Sequence, residues 1–447
     1  MTSDVLVVGG GIIGLVTAWR AAGRGGAVAV VDPEPGGGAA RVAAGMLAAV
    51  TEHHHGEQEL LALNLESARR WPAFAEELAE ASGTDVGYRP SGTLAVALDS
   101  DDRAELRELH DLHRLHGLSS EWLSGRECRR LEPMLAPGVR GGLRVDGDHQ
   151  ADPRRLASAL RVACERAGVV FHRQRAVRLR VSGAGAAGPS GEGGRAEGVV
   201  LEDGTALSAG RVVLAAGSLS GDLDGVPEEV RPPVRPVKGQ VLRLAIPPVY
   251  APFLSRTVRA VVRGSAVYLV PRENGELVVG ATSEELGFDT TVTAGGVYTL
   301  LRDARELLPG ITELPLTETL AGLRPGSPDN APLLGPTGLE GLLLATGHYR
   351  NGVLLTPVTG DLMAETLATG ELPERARAFA ADRFAAAGGR PGAWQPAGTG
   401  EEATAREVAA ACDVAATPDR TAAPDRTAAP DRTAASDRTA GDKEVAA

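Results

Sequence analysis

A glycine-rich turn near the N-terminus constrains the fold more than any other feature of this 447-residue sequence. An apolar run at 5–8 predicts a buried strand, Gly9-x-Gly11-x-x-Gly14 follows it, and apolar residues then recur at helical spacing before a second strand. Such a turn brings bare backbone and a helix N-terminus close to a pyrophosphate. Asp32 ends the second strand, where a carboxylate would bind an adenosine ribose. This βαβ unit predicts a dinucleotide site, and a purely structural turn is the alternative.

Composition excludes several classes of partner. The chain has 58 Asp+Glu against 46 Lys+Arg, and the formal charge of -12 repels nucleic acid and anionic membranes. No apolar stretch approaches the ~18 residues that a membrane helix needs, and no basic segment precedes the first strand. Cys128, Cys164 and Cys412 are too few and too widely separated for a disulfide framework or a metal site. We therefore expect a cytoplasmic protein that binds no metal.

Later segments predict a second sheet. Apolar runs at 169–171 and 211–214 complete the first sheet, whereas 234–280 contains successive strands, the last two joined by a hairpin around 273–275. A helix with one apolar face is expected at 297–308.

Two segments have the composition of irregular structure. Residues 182–194 are rich in Gly, Ala and Ser and indicate a loop. From Pro418 the sequence repeats Pro-Asp-Arg-Thr-Ala-Ala, with a degenerate last copy at 436–441. Because this repeat has no large side chain to bury, we expect a disordered, dispensable tail. A tether for an unknown partner is the alternative.

Two further segments favour a flavin over a nicotinamide. Small residues at 43–47 would let backbone approach a flat ring, and 347–357 leads into a predicted helix at 358–367. A helix N-terminus there would place N–H donors at the pyrimidine edge of a flavin, where negative charge collects on reduction.

Together these motifs resemble the D-amino acid oxidase superfamily, and within it the glycine oxidases of thiamine biosynthesis are most similar. The resemblance extends over about 4–385, in one order and with compatible spacing. Its motifs are Gly9–Gly14, Ala43–Leu47, Asp152-Pro153, Leu214–Ser218, Pro236–Gln240, Gly280–Thr282, Ala321–Gly326 and Gly347–Pro357.

The resemblance implies an α/β fold with a Rossmann-like FAD-binding domain on a mixed sheet and an inserted α+β substrate domain on an antiparallel sheet. The FAD-binding domain would comprise 1–85, 146–232 and 322–387, the substrate domain 86–145 and 233–321, and the disordered tail 388–447. It also implies a homo-oligomer, commonly a tetramer. Relatives with covalent flavin use a Cys near the segment around Gly322, where this chain has none. FAD is therefore expected to be non-covalent.

The resemblance implies site residues at the positions of this sequence that match the family's motifs. Arg324 matches the arginine that binds the substrate carboxylate, Tyr268 the tyrosine whose hydroxyl assists it, and Arg350 an arginine beside flavin and substrate. The alternatives are a solvated strand-end charge, a core aromatic and a structural ion pair, respectively. No acid–base residue is nominated. The expected cofactor contacts are Gly9, Gly11, Ile12, Ile13, Gly14, Asp32, Arg41, Ala44, Gly45, Met46, Val177, Ala216, Gly217, His348, Arg350, Asn351, Gly352, Val353 and Leu354.

Three positions depart from the family pattern or invite another interpretation. Ser283 stands where the family often has a Met that lines the substrate pocket, so pocket polarity is expected to differ. Arg41 stands among small residues and would meet a phosphate. Residues 53–55 are three consecutive histidines, and we interpret them as a surface loop because neighbouring side chains do not converge on one metal.

The resemblance implies FAD-dependent oxidative deamination of glycine, and of small amines such as sarcosine, to the imine and glyoxylate. Oxygen would be reduced to hydrogen peroxide, and the product would supply thiamine thiazole synthesis. The alternatives are an oxidase of D-amino acids or N-methyl amino acids, a dehydrogenase of this fold that passes electrons to a carrier, and a nucleotide-binding protein without turnover.

Overall fold

The computed structural model describes residues 2–183 and 194–384. The predicted tail 388–447 and most of the predicted loop 182–194 lie outside these ranges. The strands are β1 Thr2–Val8, β2 Val28–Val31, β3 Met46–Leu47, β4 Thr93–Ala97, β5 Glu121–Ser124, β6 Gly141–Val145, β7 His149–Gln150, β8 Val170–His172, β9 Ala176–Ser182, β10 Arg195–Leu201, β11 Ala206–Leu214, β12 Arg235–Ala245, β13 Thr257–Val262, β14 Ser265–Pro271, β15 Glu276–Gly280, β16 Leu316–Gly326, β17 Leu333–Pro336 and β18 Leu342–Thr346. The α-helices are α1 Ile12–Ala22, α2 Gln58–Ser82, α3 Ser100–Leu115, α4 Gly125–Leu131, α5 Pro153–Arg166, α6 Ala294–Leu307 and α7 Thr356–Thr369.

The first sheet places the Gly-rich turn at its centre. Its order is β17-β18-β11-β1-β2-β8, with β9 and β10 attached beside β11. β1 pairs in parallel with β2 and β11, whereas β17–β18 and β9–β10 are antiparallel. The carboxyl ends of β1 and β2 therefore meet at one edge, where ligands bind in sheets of this kind. The predicted mixed sheet is confirmed.

Alternation along β1 explains why this sheet is covered on both faces. Val5 and Val7 pack in the cluster formed with α1, α2, α5 and α7, while Leu6 and Val8 pack in the cluster with β9 and β10. Successive side chains of a strand point to opposite faces, and burial of each such side chain stabilises the fold by about 1.5–3 kcal/mol.

The second sheet has the order β16-β12-β15-β14-β13-β4-β6-β5. The predicted hairpin is confirmed, since β14 and β15 pair in antiparallel fashion around 272–275. The expectation of an antiparallel sheet is right except at one junction, where β13 pairs in parallel with β4. This junction joins strands about 160 residues apart in the chain, and parallel neighbours require such a long connection.

The two faces of the second sheet have different coverings. Leu277 and Val279 pack with Leu300 and Leu307 of α6. Val278, between them, points to the opposite face, in the cluster with Tyr268 and Met46. That face is the one that contributes to the site described next.

The proposed domain boundaries remain a prediction. In the described residues the second sheet takes its strands from 93–145 and 235–326. None of the described helices combines the length and the apolar character that a bilayer crossing requires.

Candidate functional site

A cavity of about 510 Å³ lies between the edge of the first sheet and the inner face of the second. The lining residues come from the Gly-rich turn, from the segments 31–46 and 214–223, from the inner face of the second sheet and from 345–353. Segments more than three hundred residues apart thus line one space. Of the predicted site residues, the cavity is lined by Gly9, Gly11, Ile12, Ile13, Asp32, Ala44, Gly45, Met46, Ala216, Gly217, Tyr268, Arg324, His348, Arg350, Gly352 and Val353.

The N-terminus of α1 forms one end of the cavity. Gly11 is the N-cap, has no side-chain cap, and a side chain there would meet open space. The first N–H groups of a helix have no partner within it and favour an anion. Gly14 does not line the cavity, and a Cβ there would overlap the Gly9 carbonyl. Gly14 therefore permits close packing of the turn, which is a different role from ligand contact.

The carboxylate of Asp32 is held in a fixed orientation beside this turn. Its Oδ2 accepts a hydrogen bond from the Gly10 N–H at 2.7 Å and its Oδ1 accepts one from the Glu34 N–H at 2.7 Å. Each carboxylate oxygen retains a second lone pair. Asp32 therefore both fixes the turn and presents acceptors to hydroxyl groups in the cavity.

The turn before α7 lines another part of the cavity. The N–H groups of Gly352, Val353 and Leu354 donate to no acceptor in the described part of the chain. The carbonyl of Leu354 accepts hydrogen bonds from Trp71 Nε1 at 2.8 Å and Ser67 Oγ at 2.7 Å, both from α2. The turn is thereby fixed with its free donors near the cavity, as the helix N-terminus predicted here requires.

Arg272 holds the small-residue segment of the cavity wall, and sequence reasoning missed it. Its guanidinium donates to the carbonyls of Ala44 and Ala151 and to Gln150 Oε1, the last at 2.9 Å. Burial lowers the pKa of Arg272 to about 10, which still leaves it charged at neutral pH. Its partners are far apart in the chain, so no local motif could have revealed it.

Arg324 and Tyr268 lie together on the inner face of the second sheet. Arg324 Nη1 donates to the carbonyls of Thr282 at 3.2 Å and Lys238 at 3.3 Å, which orients the guanidinium along the cavity wall. Burial raises the pKa of the Tyr268 hydroxyl, although the neighbouring Arg324 acts in the opposite direction. Tyr268 is therefore a neutral donor at pH 7. This pair could bind a carboxylate through a charged fork and a hydroxyl.

Arg350 is exposed, lines the cavity and lies within hydrogen-bonding distance of His54, with 3.2 Å between Nη2 and Nε2. The predicted surface loop at 53–55 is right for His54 and His55, which are exposed, and wrong for His53, which is buried. His53 packs edge-on against the ring of His116 of the segment after α3. The consecutive side chains diverge, as their spacing requires.

Glu52 lines the same end of the cavity and was also missed. Its Oε1 lies 3.0 Å from Arg259 Nη1. Burial alone would raise the pKa of the Glu52 carboxyl, but Arg259 and Arg350 outweigh it and hold the pKa below its ordinary value. The Glu52 carboxylate is therefore negatively charged at neutral pH and lies near the positive charges of Arg259 and Arg350. The only sequence signal for this residue was the position of an acid, Glu52, six residues after Met46 in the segment predicted to approach the flavin.

Several predicted contacts are not placed on the cavity wall. Arg41 forms a 2.9 Å ion pair with Glu34, an acidic neighbour that competes with any phosphate. Val177 is partly exposed, and its neighbours Arg175 and Ala176 line the cavity instead. Asn351 and Leu354 stand in the turn before α7 and do not line the cavity; Leu354 is buried in the core.

Ser283 likewise does not line the cavity, and its side chain is exposed. The expectation that it alters pocket polarity is therefore wrong. The strand β15 ends at Gly280, and Ser283 lies in the exposed segment that follows it.

The residues present fit FAD. Free helix-terminal donors suit the pyrophosphate, Asp32 suits the ribose, and the free N–H groups of 352–354 suit the electron-rich edge of a flavin ring. Cys128 and Cys164 are buried and do not line the cavity, while Cys412 lies outside the described residues.

The fold and the cavity define a dinucleotide-binding protein, in which a Rossmann-like turn and a second sheet line one cavity. The chain belongs to the FAD dependent oxidoreductase family, whose sequence model matches residues 4–366. The predicted resemblance and the FAD cofactor are thereby confirmed.

Several known proteins are similar to this chain over most of its length. Hydrogen cyanide synthase subunit HcnC of Pseudomonas aeruginosa is 31% identical over 86% of this chain and 96% of that protein. The bifunctional protein ThiO/ThiG of Synechocystis is 33% identical over 86% of this chain, which spans 54% of that relative's length. The crystal structure of glycine oxidase from Geobacillus kaustophilus superposes with a TM-score of 0.75 at 32% identity, covering 86% of this chain and 99% of that one.

Proposed function

We propose that this protein is an FAD-dependent oxidase of glycine that also accepts small amines such as sarcosine. The observation that carries the proposal is the pairing of Arg324 with Tyr268 on the wall of the cofactor cavity, together with the likeness to a glycine oxidase. The overall reaction converts glycine, oxygen and water into glyoxylate, ammonia and hydrogen peroxide. The relative named ThiO/ThiG supports a role in supplying thiamine thiazole synthesis.

The residues of this chain orient the substrate in the proposed reaction. Arg324 and Tyr268 hold the substrate carboxylate, and the charge of Arg350 adds to the attraction. FAD supplies the acceptor for the two electrons and the hydrogen of the α-carbon. Orientation at such a site contributes much of the rate when the acceptor is good, and the described side chains suit this role.

A peroxide-release screen of the purified protein against glycine, sarcosine and a panel of D-amino acids tests the proposal. We expect the highest kcat/KM with glycine, and anaerobic glycine should bleach the flavin absorbance, which returns on admission of air. Bleaching followed by slow return in air would instead identify a dehydrogenase. A higher kcat/KM with a D-amino acid or an N-methyl amino acid would identify the other oxidase. Neither bleaching nor peroxide with any of these amines would overturn the proposal.

A further inference from the structure

The carboxylate of Glu52 is the feature of the cavity that the proposed function leaves unused. It lines the cavity together with Arg324, Tyr268 and Arg350. A carboxylate that has lost part of its hydration is costly unless it is paired. The Glu52 carboxylate therefore needs cationic or hydrogen-bonding partners around it.

The backbone around Glu52 is fixed by a buried acid. Asp148 is fully buried and accepts hydrogen bonds from the N–H groups of Val50 at 3.0 Å and Thr51 at 2.7 Å. The carbonyl of Val50 lies 2.9 Å from Nε2 of the buried His113. The segment before Glu52 is thereby held from two sides, which limits how far the carboxylate moves.

One carboxylate oxygen of Glu52 is engaged and the other is free. Oε1 pairs with Arg259, which lies directly opposite Tyr268 in the β13–β14 register. Oε2 has no hydrogen-bond partner within the described residues. Because each carboxylate oxygen accepts hydrogen bonds, Oε2 is available to a donor in the cavity.

The charges at this end of the cavity match a zwitterion. Arg324, at the second sheet, presents positive charge to a ligand carboxylate, and Glu52, at the segment after β3, presents negative charge. An α-amino acid carries its two charges on neighbouring carbons and presents one to each group. A simple carboxylic acid, or one with a hydroxyl in place of the amine, leaves Glu52 without a cationic ligand partner.

We propose that Oε2 of Glu52 accepts a hydrogen bond from the substrate's amino group and selects α-amino acids over carboxylic and 2-hydroxy acids. The inference rests on the proposed function and assigns Glu52 to substrate binding, with no proton transfer. A role limited to neutralising Arg259 and its neighbours is the competing account, and the two predict different ligand selectivity.

Ligand binding to the FAD-loaded Glu52→Gln variant tests this proposal. Dissociation constants for glycine (anaerobic mixing) and for acetate and glycolate are measured from the perturbation of flavin absorbance. A charge-assisted hydrogen bond is worth about 1.5–3 kcal/mol, so glycine should bind about 10- to 100-fold more weakly to the variant. Acetate and glycolate should bind equally well or more tightly, because a repelling charge has been removed.

Two further variants keep the test decisive. Glu57→Gln changes a carboxylate on the same segment that does not line the cavity, and it should leave the ratio of glycine to acetate affinity unchanged. Glu52→Asp keeps the charge but withdraws it by one methylene, and it should weaken glycine binding without strengthening acetate binding. This variant also serves if Glu52→Gln does not fold.

Equal weakening of all three ligands, or no change in any of them, would overturn the proposal. Wild-type protein that neither binds nor oxidises glycine would instead refute the proposed function. Wild-type protein that oxidises glycine, with a Glu52→Gln variant of unchanged selectivity, would refute the role of Glu52 alone.

Discussion

At the scale of single residues, Arg324 shows how a surface-type side chain becomes part of a cavity wall. Its guanidinium donates to two backbone carbonyls at its back, and its front faces the cavity beside Tyr268. Those carbonyls fix a long, flexible side chain whose ordering otherwise costs about 2 kcal/mol in rotamer entropy. The position was predicted from the resemblance, whereas the carbonyls that orient it come from β12 and from the segment after β15.

Replacement of Arg324 by Ala tests that assignment. We expect the KM for glycine to rise about 10- to 100-fold, because a charged contact contributes about 1.5–3 kcal/mol. FAD content should be unchanged. Steady-state peroxide assays measure the effect, and Arg263→Ala is the control, since Arg263 is exposed at the β13–β14 turn and pairs with Glu306. Unaltered kinetics in Arg324→Ala would remove this residue from the substrate site.

At the scale of elements, β12 and β16 build one wall of the cavity, where an arginine side chain of β16 lies over a glycine of β12. Val237 stands opposite Arg324 in the register, and Gly239 leaves the space that the guanidinium occupies. A Cβ at Gly239 would lie 2.5 Å from both Nη atoms of Arg324. The absence of a side chain at Gly239 of β12 thus leaves room for the Arg324 side chain of the neighbouring strand β16.

We expect Gly239→Ala to displace the Arg324 guanidinium and raise the KM for glycine, while the FAD content is unchanged. The shift in KM should approach that of Arg324→Ala, and the double variant should add little to either single one, because both changes act on one contact. Gly138→Ala is the matched control, since a Cβ there meets open space. Additive effects in the double variant would contradict this account.

At the scale of the whole molecule, buried histidines couple the fold to pH. His113 is fully buried and burial lowers its pKa to about 4, and His348, also buried, has a pKa lowered to about 3. The unfolded chain binds protons at these groups near pH 6.5. The contribution of these two histidines to stability is therefore complete above about pH 6.5 and decreases as the pH falls toward 4.

Between pH 7 and pH 5 we expect His113 alone to reduce the free energy of unfolding by about 2 kcal/mol. Urea unfolding at both pH values measures this loss of unfolding free energy. In His113→Gln the loss between pH 7 and pH 5 should be smaller by about 2 kcal/mol. His55→Gln alters an exposed histidine of the same chain and should retain the wild-type difference. An identical pH dependence in all three proteins would show that His113 does not set it.

The homo-oligomer and the cytoplasmic location remain predictions at this scale.

The sequence by itself determined the local elements and the cofactor class. The turn at Gly9–Gly14, the hairpin of β14 and β15 and the helix after 355 depend on neighbouring residues, and periodicity and glycine spacing report such interactions directly. Arg324 and Tyr268 were predicted because a whole ordered set of motifs resembles one family, and both line the cavity.

Only the tertiary structure decided which side chains meet. Glu52 faces Arg259, Arg272 holds the wall at Ala44, and Arg41 turns to Glu34. The parallel junction of β4 with β13 likewise joins segments far apart in the chain. Contacts between Glu52 and Arg259, or between Arg272 and Ala44, depend on packing between distant segments, and a single sequence carries no local signal for that packing.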